Sequence, residues 1–296
     1  MLKSEGEGEK IMDKKKTGKK AFMSMRKRIV TGVVIMVIGT STTVLASQNT
    51  GYVNKVFGGI TNNFIKDTHD QVVIESGIKM KIEESLSGGK SSLIIVSFEK
   101  EDGSRFPKGA AIANLEVDVK KGASYMVEQQ LTKDRKQIIG IFDIDTFSNL
   151  EGKSVTIKAK SIVNMDTDEI IANGPFKNRF TANDRSNKID IDLALKLHKE
   201  EVVLKTIHVS AIGIEMEGER IDGQESYLPE MTPVVKIMTT DNQTIELRQD
   251  STSTTDIGFK WKYSIDADGK RMFLDTSTIK EIMINDQIIS INEVSK

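Results

Sequence analysis

Along most of the chain, apolar and polar residues alternate with a period of two. Ile78, Met80 and Ile82 alternate with Lys79, Lys81 and Glu83, which predicts a strand buried on one face. Ser87-Gly88-Gly89-Lys90 is a turn sequence, and Leu93-Ile94-Ile95-Val96 is a continuous apolar run. Together they predict a hairpin whose second strand is the more fully buried. Leu115, Val117 and Val119 alternate with Glu116, Asp118 and Lys120. Ile139 and Ile141, followed by Phe142 and Ile144, predict a strand that slips phase near Gly140, where a bulge is expected. Val155, Ile157 and Ala159 predict the next strand, continued by Ser161-Ile162-Val163. Asn173-Gly174-Pro175 reads as a turn. Ile189, Ile191 and Leu193, alternating with Asp190 and Asp192, are expected to close a first domain at the polar stretch Leu195–Glu201.

A second series of strands follows. Its signals are Ile207 and Val209; Ile212, Ile214 and Met216; Val234 to Met238; Ile245 and Leu247; Ile282 and Ile284; and Ile288, Ile289 and Ile291, with Asn285-Asp286-Gln287 as a hairpin turn. Phe259, Trp261 and Tyr263 form one aromatic face of a strand that carries Lys260 and Lys262 on the other. Such a stripe fits a sandwich core, and, if exposed, it would offer a binding face that stacks on sugars or bases. Short alternating strands separated by Gly, Asn and Asp turns predict a mainly β chain with two antiparallel β-sandwich-like domains, 72–199 and 200–296.

The segment Ile29–Ala46 breaks this pattern. It is 18 residues without a charge, and none occurs between Arg28 and Lys55. A hydrocarbon core about 30 Å thick takes roughly 20 such residues as a helix. Lys14 to Arg28 supply eight cations with no acid among them, ending in Arg26-Lys27-Arg28. Positive flanks stay cytoplasmic, so residues 1–28 read as a basic cytoplasmic tail, 29–46 as a transmembrane helix, and the rest as exported. Val44-Leu45-Ala46 also fits the end of a signal peptide cut before Ser47. A basic region of 28 residues is long for a signal peptide, and the uncleaved anchor is the preferred reading. Residues 47–71 form a connector in which Val53, Val56, Phe57, Ile60 and Phe64 fall at helical spacing, as expected of a short amphipathic helix docked on its own domain.

Composition narrows the chemistry. The chain has no Cys, which removes disulfide frameworks and thiol-based metal or redox sites. Residues 1–28 hold ten Lys or Arg against four Asp or Glu, while the remainder is acidic, so nucleic acid is not an expected partner of the exported part. The basic tail suits anionic lipid headgroups. His69, His198 and His208 are scattered, and His208, between Ile207 and Val209, is expected to point outward. Asp166-Thr167-Asp168-Glu169 and Asp266-Ala267-Asp268-Gly269 read as acidic turns. The second lacks the later ligands of a calcium loop, since Lys270-Arg271 stand where an acid is needed. Gly88-Gly89-Lys90-Ser91 is only a fragment of a phosphate loop and sits in a hairpin. No nucleophile motif is present. The expectation is a non-enzymatic protein with no catalytic, cofactor or metal residues.

The plan of the chain is similar to a known group. A short basic tail, one span ending at Thr42-Thr43-Val44-Leu45-Ala46, the connector Tyr52-Val53-Asn54-Lys55-Val56-Phe57, the strand Gly77–Ser85 and the segment Val209-Ser210-Ala211-Ile212-Gly213-Ile214 carry the likeness. Together they resemble the Gram-positive membrane proteins described as negative effectors of extracytoplasmic-function sigma factors. That resemblance implies a sensing exported part and a cytoplasmic part that engages a sigma factor or another membrane regulator. The alternative expectation is an exported structural or adhesive module for wall polymer or a partner protein. The family's sigma-binding domains are usually several helices, often with a His/Cys zinc pattern. Here 28 residues without Cys or His precede the span, so the expectation is a start upstream of Met1 or indirect sigma control.

Overall fold

The alternating segments form strands because their β-branched and aromatic residues fit a pleated surface with one face turned inward. A computed structural model describes residues 35–37, 51–57, 67–120, 122–222, 228–255, 258–267 and 270–291. In chain order the elements begin with β1 (Ile35–Val37), α1 (Tyr52–Phe57), β2 (Asp67–Thr68), β3 (Val72–Glu75), β4 (Ile78–Gly88), β5 (Ser91–Lys100), β6 (Ala110–Ala113) and β7 (Glu116–Val119). They continue with β8 (Ala123–Leu131), β9 (Gln137–Thr146), β10 (Ser154–Asn164), β11 (Ile170–Thr181), β12 (Asn187–Leu197), β13 (Glu200–Ser210) and β14 (Gly213–Arg220). The last are β15 (Val235–Thr239), β16 (Thr244–Thr254), β17 (Phe259–Ala267), β18 (Lys270–Met272), β19 (Ile279–Ile284) and β20 (Gln287–Ser290).

Three sheets result. A seven-stranded sheet runs β1-β8-β9-β5-β4-β2, with β3 also on β4. A four-stranded sheet of β11, β10, β6 and β7 packs on its inner face. Ile94, Val96, Phe98 and Phe142 of the first sheet meet Val155, Ile157, Ile162 and Phe176 of the second in a fully buried core. The nine-stranded third sheet runs β12-β13-β14-β17-β16-β15-β19-β20, with β18 on β17. Strand β16 pairs with β15 over Thr244–Leu247 and with β17 from Arg248 onward. Residues from both halves of this sheet, among them Val202, Met216, Trp261, Ile237 and Ile282, share a second core.

Several expectations change in detail. Gly140 is not a bulge: β9 pairs in unbroken register with both β5 and β8. The apparent phase slip arises because both faces of β9 are buried, Ile138, Phe142 and Ile144 in the first core and Ile139 and Ile141 against a separate apolar cluster. Asn173-Gly174-Pro175 lies inside β11, where Gly174 and Pro175 together oppose the single residue Lys160, and a proline is tolerated at such a bulge. The strand Asn187–Leu197 belongs to the third sheet. The stretch expected as a domain boundary near residue 199 is a hairpin turn between β12 and β13, and the crossing between sheets lies before Asn187. The hairpins at Gly89-Lys90 and Asn285-Asp286 stand where the turn chemistry puts them.

Within the apolar run 29–46, only Ile35–Val37 are described. They are extended rather than helical and lie parallel to β8, with Ile35 opposite Val127. The physical reason is an unfilled sheet edge: β8 offers unpaired backbone groups to an apolar segment. The rest of the run, with Arg26, Lys27, Arg28, Ile29 and Ala46, lies outside the described residues. Among the described residues, no helix is long and apolar enough to cross a membrane.

Candidate functional site

The outer face of the seven-stranded sheet is not solvated; the third sheet lies against it along a seam. Alternation within each strand builds that seam. On β17, Phe259, Trp261 and Tyr263 turn into the second core, at 1%, 0% and 2% exposure, and Tyr263 donates its hydroxyl to Pro233 O at 2.8 Å. These residues are therefore core and not a binding face. The intervening Lys260 and Lys262 turn the other way, into the seam. On β14, Ile214 and Met216 face the core, and Glu215 and Glu217 face the seam, paired in register with Lys262 and Lys260. On β9, Phe142 and Ile144 face the first core, which leaves Asp143 and Asp145 pointing across at the lysines.

The result is a buried ionic cluster with alternating signs. Lys262 Nζ lies 2.9 Å from Asp143 and 3.8 Å from Asp145, and Arg271 Nη2 lies 2.6 Å from Asp143. Lys260 Nζ lies 3.1 Å from Asp145 and 3.5 Å from Glu215. Arg271 continues the chain to Asp250 at 3.6 Å. Burial alone would raise Asp143, yet Lys262 and Arg271 outweigh it and hold the carboxyl at about 2. Asp145 is likewise pulled below its usual range, by Lys262 and Lys260 against burial. Burial would lower Lys262, but Asp143 and Asp145 raise it. Glu215 goes the other way: burial pushes it up, with Lys260 and Ser91 opposing. Ser91 Oγ is 2.6 Å from Asp145 Oδ1 and 2.9 Å from Glu215 Oε2. One hydroxyl proton serves one carboxylate at a time, so Ser91 links Asp145 and Glu215 by alternating between them.

The tip of the β4–β5 hairpin is wedged into this seam. Gly89 N donates to Asp184 at 3.0 Å, Lys90 N donates to Glu215 at 3.1 Å, and Lys90 Nζ pairs with Glu217 at 2.7 Å. A Cβ on Gly88 would sit 2.3 Å from Ser210 Cβ, and one on Gly89, at φ +63°, would meet Glu215 and His208 at 2.9 and 3.0 Å. The glycines of the Gly-Gly-Lys-Ser fragment thus permit close approach of one body to the other. His208, expected outward, is buried beneath this tip, with Nδ1 2.9 Å from Ser186 Oγ. The face it occupies is outward for its own sheet and covered by the other.

Beside the charges the seam is apolar. Leu86, Leu93, Ile95, Ile139 and Ile141 of the first sheet meet Ala211, Ile212 and Phe273 of the second body. Helix α1 plugs the same cluster: Val53 is fully buried, and Phe57 packs edge-on against Phe273 with centroids 5.1 Å apart. The buried Glu84 carboxylate accepts from Tyr52 N at 2.9 Å and Val53 N at 2.8 Å, which satisfies two donors at the start of the helix. The connector helix is therefore present over Tyr52–Phe57 and docked as its spacing indicates; Ile60 and Phe64 lie outside the described residues.

Chemically, this arrangement holds two bodies together. No imidazole activates Ser91, and the cluster is closed to substrate-sized molecules. Among the described residues, no group of three or more His, Asp or Glu could hold a metal ion. An open groove of about 390 Å³ is lined by Ser76, Gly77, Ile78, Lys100, Glu101 and Asp102 with Ile171 and Ala172, and it holds no buried charged or nucleophilic group.

No protein-family model matches the sequence, and no curated protein matches it. The fold is similar to the crystal structure of a conserved domain protein from Bacillus anthracis, with a TM-score of 0.52 and 14% identity over 78% of this chain and 81% of that one. At that identity the likeness is one of fold alone.

Proposed function

We propose that the chain is a membrane-anchored, non-enzymatic regulatory protein acting as a negative effector of an extracytoplasmic-function sigma factor. The observation that carries this reading is the seat of α1. The helix begins six residues after Ala46 and plugs the cluster shared by both β bodies. A segment that follows a membrane span and touches both bodies couples any change at their seam to the span. The basic flank Arg26-Lys27-Arg28 and the family resemblance support the orientation and the partner. The strand Ile35–Val37 and the proposed span compete for the same residues. A bilayer accepts the whole apolar run, whereas the edge of β8 pairs three residues of it.

The test is a pull-down of the full chain, including residues 1–28, with the extracytoplasmic-function sigma factors of its own cell, together with sigma-dependent transcript levels after deletion. Retention of the factor and a rise in its transcripts are expected. No binding and unchanged transcripts reject the reading. The adhesive-module alternative rested on an exposed Phe259, Trp261 and Tyr263, and their burial removes that support.

A further inference from the structure

Lys260, Asp145, Glu215 and Ser91 come from four strands, β17, β9, β14 and β5; Lys260 and Ser91 meet on one oxygen of Asp145, and Glu215 touches both of them. Asp145 Oδ1 lies 3.1 Å from Lys260 Nζ and 2.6 Å from Ser91 Oγ. Glu215 Oε2 reaches both the amine, at 3.5 Å, and the hydroxyl, at 2.9 Å. Lys260 and Glu215 are buried, at 2% and 3% exposure. An amine, a carboxyl and a second carboxyl that touches the amine and, through Ser91, the oxygen are the parts needed for amide condensation.

We propose that Lys260 and Asp145 form an intramolecular isopeptide bond across the seam, with Glu215 as general acid–base and Ser91 as proton relay. The ion pair first returns its proton, leaving a neutral amine and a neutral carboxyl. The Nζ lone pair attacks Asp145 Cγ, one bond beyond Oδ1, and a C–N bond forms. Glu215 passes its proton through Ser91 to Oδ1, the Cγ–Oδ1 bond breaks, and the oxygen leaves as water. Glu215 then takes a proton from Nζ and ends as it began. One carboxyl and one amine become one amide and one water, and nothing is oxidised or reduced. Holding the groups in place replaces a bimolecular encounter with an internal one. A crevice of about 30 Å³ beside Asp145 and Lys260, walled by Ser124, Phe147, Ser253 and Thr254, is large enough for the departing water. Because Lys262 and Lys260 keep Asp145 ionised, the reactive neutral pair is a minor form and the bond forms slowly. The neighbouring Lys262–Asp143 pair has the Arg271 cation as its third member, with no hydroxyl among the described residues between an acid and its carboxyl oxygen as Ser91 stands between Glu215 and Asp145, and is expected to stay ionic.

The full chain, purified and held at physiological temperature, is measured by intact-mass spectrometry and then by tandem spectrometry of its peptides. The expected result is a mass lower than that of the sequence by one water, with the Asp145 peptide joined to the Lys260 peptide. Lys262→Arg keeps that loss. Glu215→Gln and Lys260→Arg restore the full mass, with the β-sheet circular dichroism of the parent. A wild-type chain that keeps its full mass after prolonged incubation, or a link at any other pair, overturns the bond. A folded Glu215→Gln chain that still loses water overturns the role of Glu215.

Discussion

At the scale of single residues, the seam depends on what glycine and buried charge do there. Gly88→Ala puts a methyl 2.3 Å from Ser210 Cβ, and overpacking of this kind costs about 1–3 kcal/mol. Ser210→Gly in the same chain is expected to recover most of that loss in urea denaturation; additive losses would show that the contact is not the cause. Asp143 has the larger effect on pH dependence. Its folded value of about 2 lies below the ordinary 3.8, so its contribution is present above pH 4 and lost as the pH falls towards 2. The size is on the order of 2 kcal/mol. Glu215 has the opposite sign: raised by burial, it stabilises below its ordinary 4.5 and loses that contribution as the pH rises. Asp143→Asn is expected to flatten the acid limb of a stability–pH profile and to cost up to about 3–5 kcal/mol at neutral pH, because Lys262 and Arg271 lose their nearest partner and keep only Asp145 and Asp250 at 3.8 and 3.6 Å. An unchanged acid limb would show that other carboxylates govern it. Trp261→Ala should cost about 3–5 kcal/mol, as loss of a fully buried aromatic does.

At the scale of elements, the connector gives the clearest prediction. Val53→Asp places a charge in the apolar plug and should detach α1 while both cores persist. Faster amide exchange over Tyr52–Phe57 with unchanged protection in β9 and β17 is the expected outcome. Global loss of protection would mean that the helix is needed for the whole fold. Most strands were legible from period-two patterning, because each has one face in a core. The patterning misled where a second face was also covered. Ile139 and Ile141 looked like a phase slip at Gly140 because a strand with two buried faces has no alternation to show. His208 looked solvent-facing because a polar residue between apolar neighbours on a strand ordinarily is. Nothing local marks a face covered by residues more than 100 positions away. The Gly-Gly-Lys-Ser fragment was visible, but its meaning depended on Ser210 and Glu215, far along the chain.

At the scale of the whole molecule, two cores share one seam, and residues 32–296 cluster as one compact unit. The ions of the seam are shielded from solvent, so raising the salt from 0.1 to 1 M should shift the melting point little; surface pairs such as Lys205–Asp192 are screened over about 10 Å at the lower value. A large drop with salt would place the binding energy on the surface. The uncleaved anchor is tested by N-terminal sequencing of the membrane fraction. Retention of residues ahead of Ser47 is expected, and a mature chain beginning at Ser47 refutes it.

The two amides at the start of α1 are gripped by Glu84, on a strand in the middle of the hairpin sheet. Tension applied at Tyr52 therefore enters the fold at its interior and not at a fraying end. It acts on a carboxylate clamp whose strand is hydrogen-bonded on both sides. The load is spread as shear along those ladders, the direction in which sheets resist best. A pull on Tyr52 thus meets two backbone hydrogen bonds to one carboxylate before it reaches either ladder.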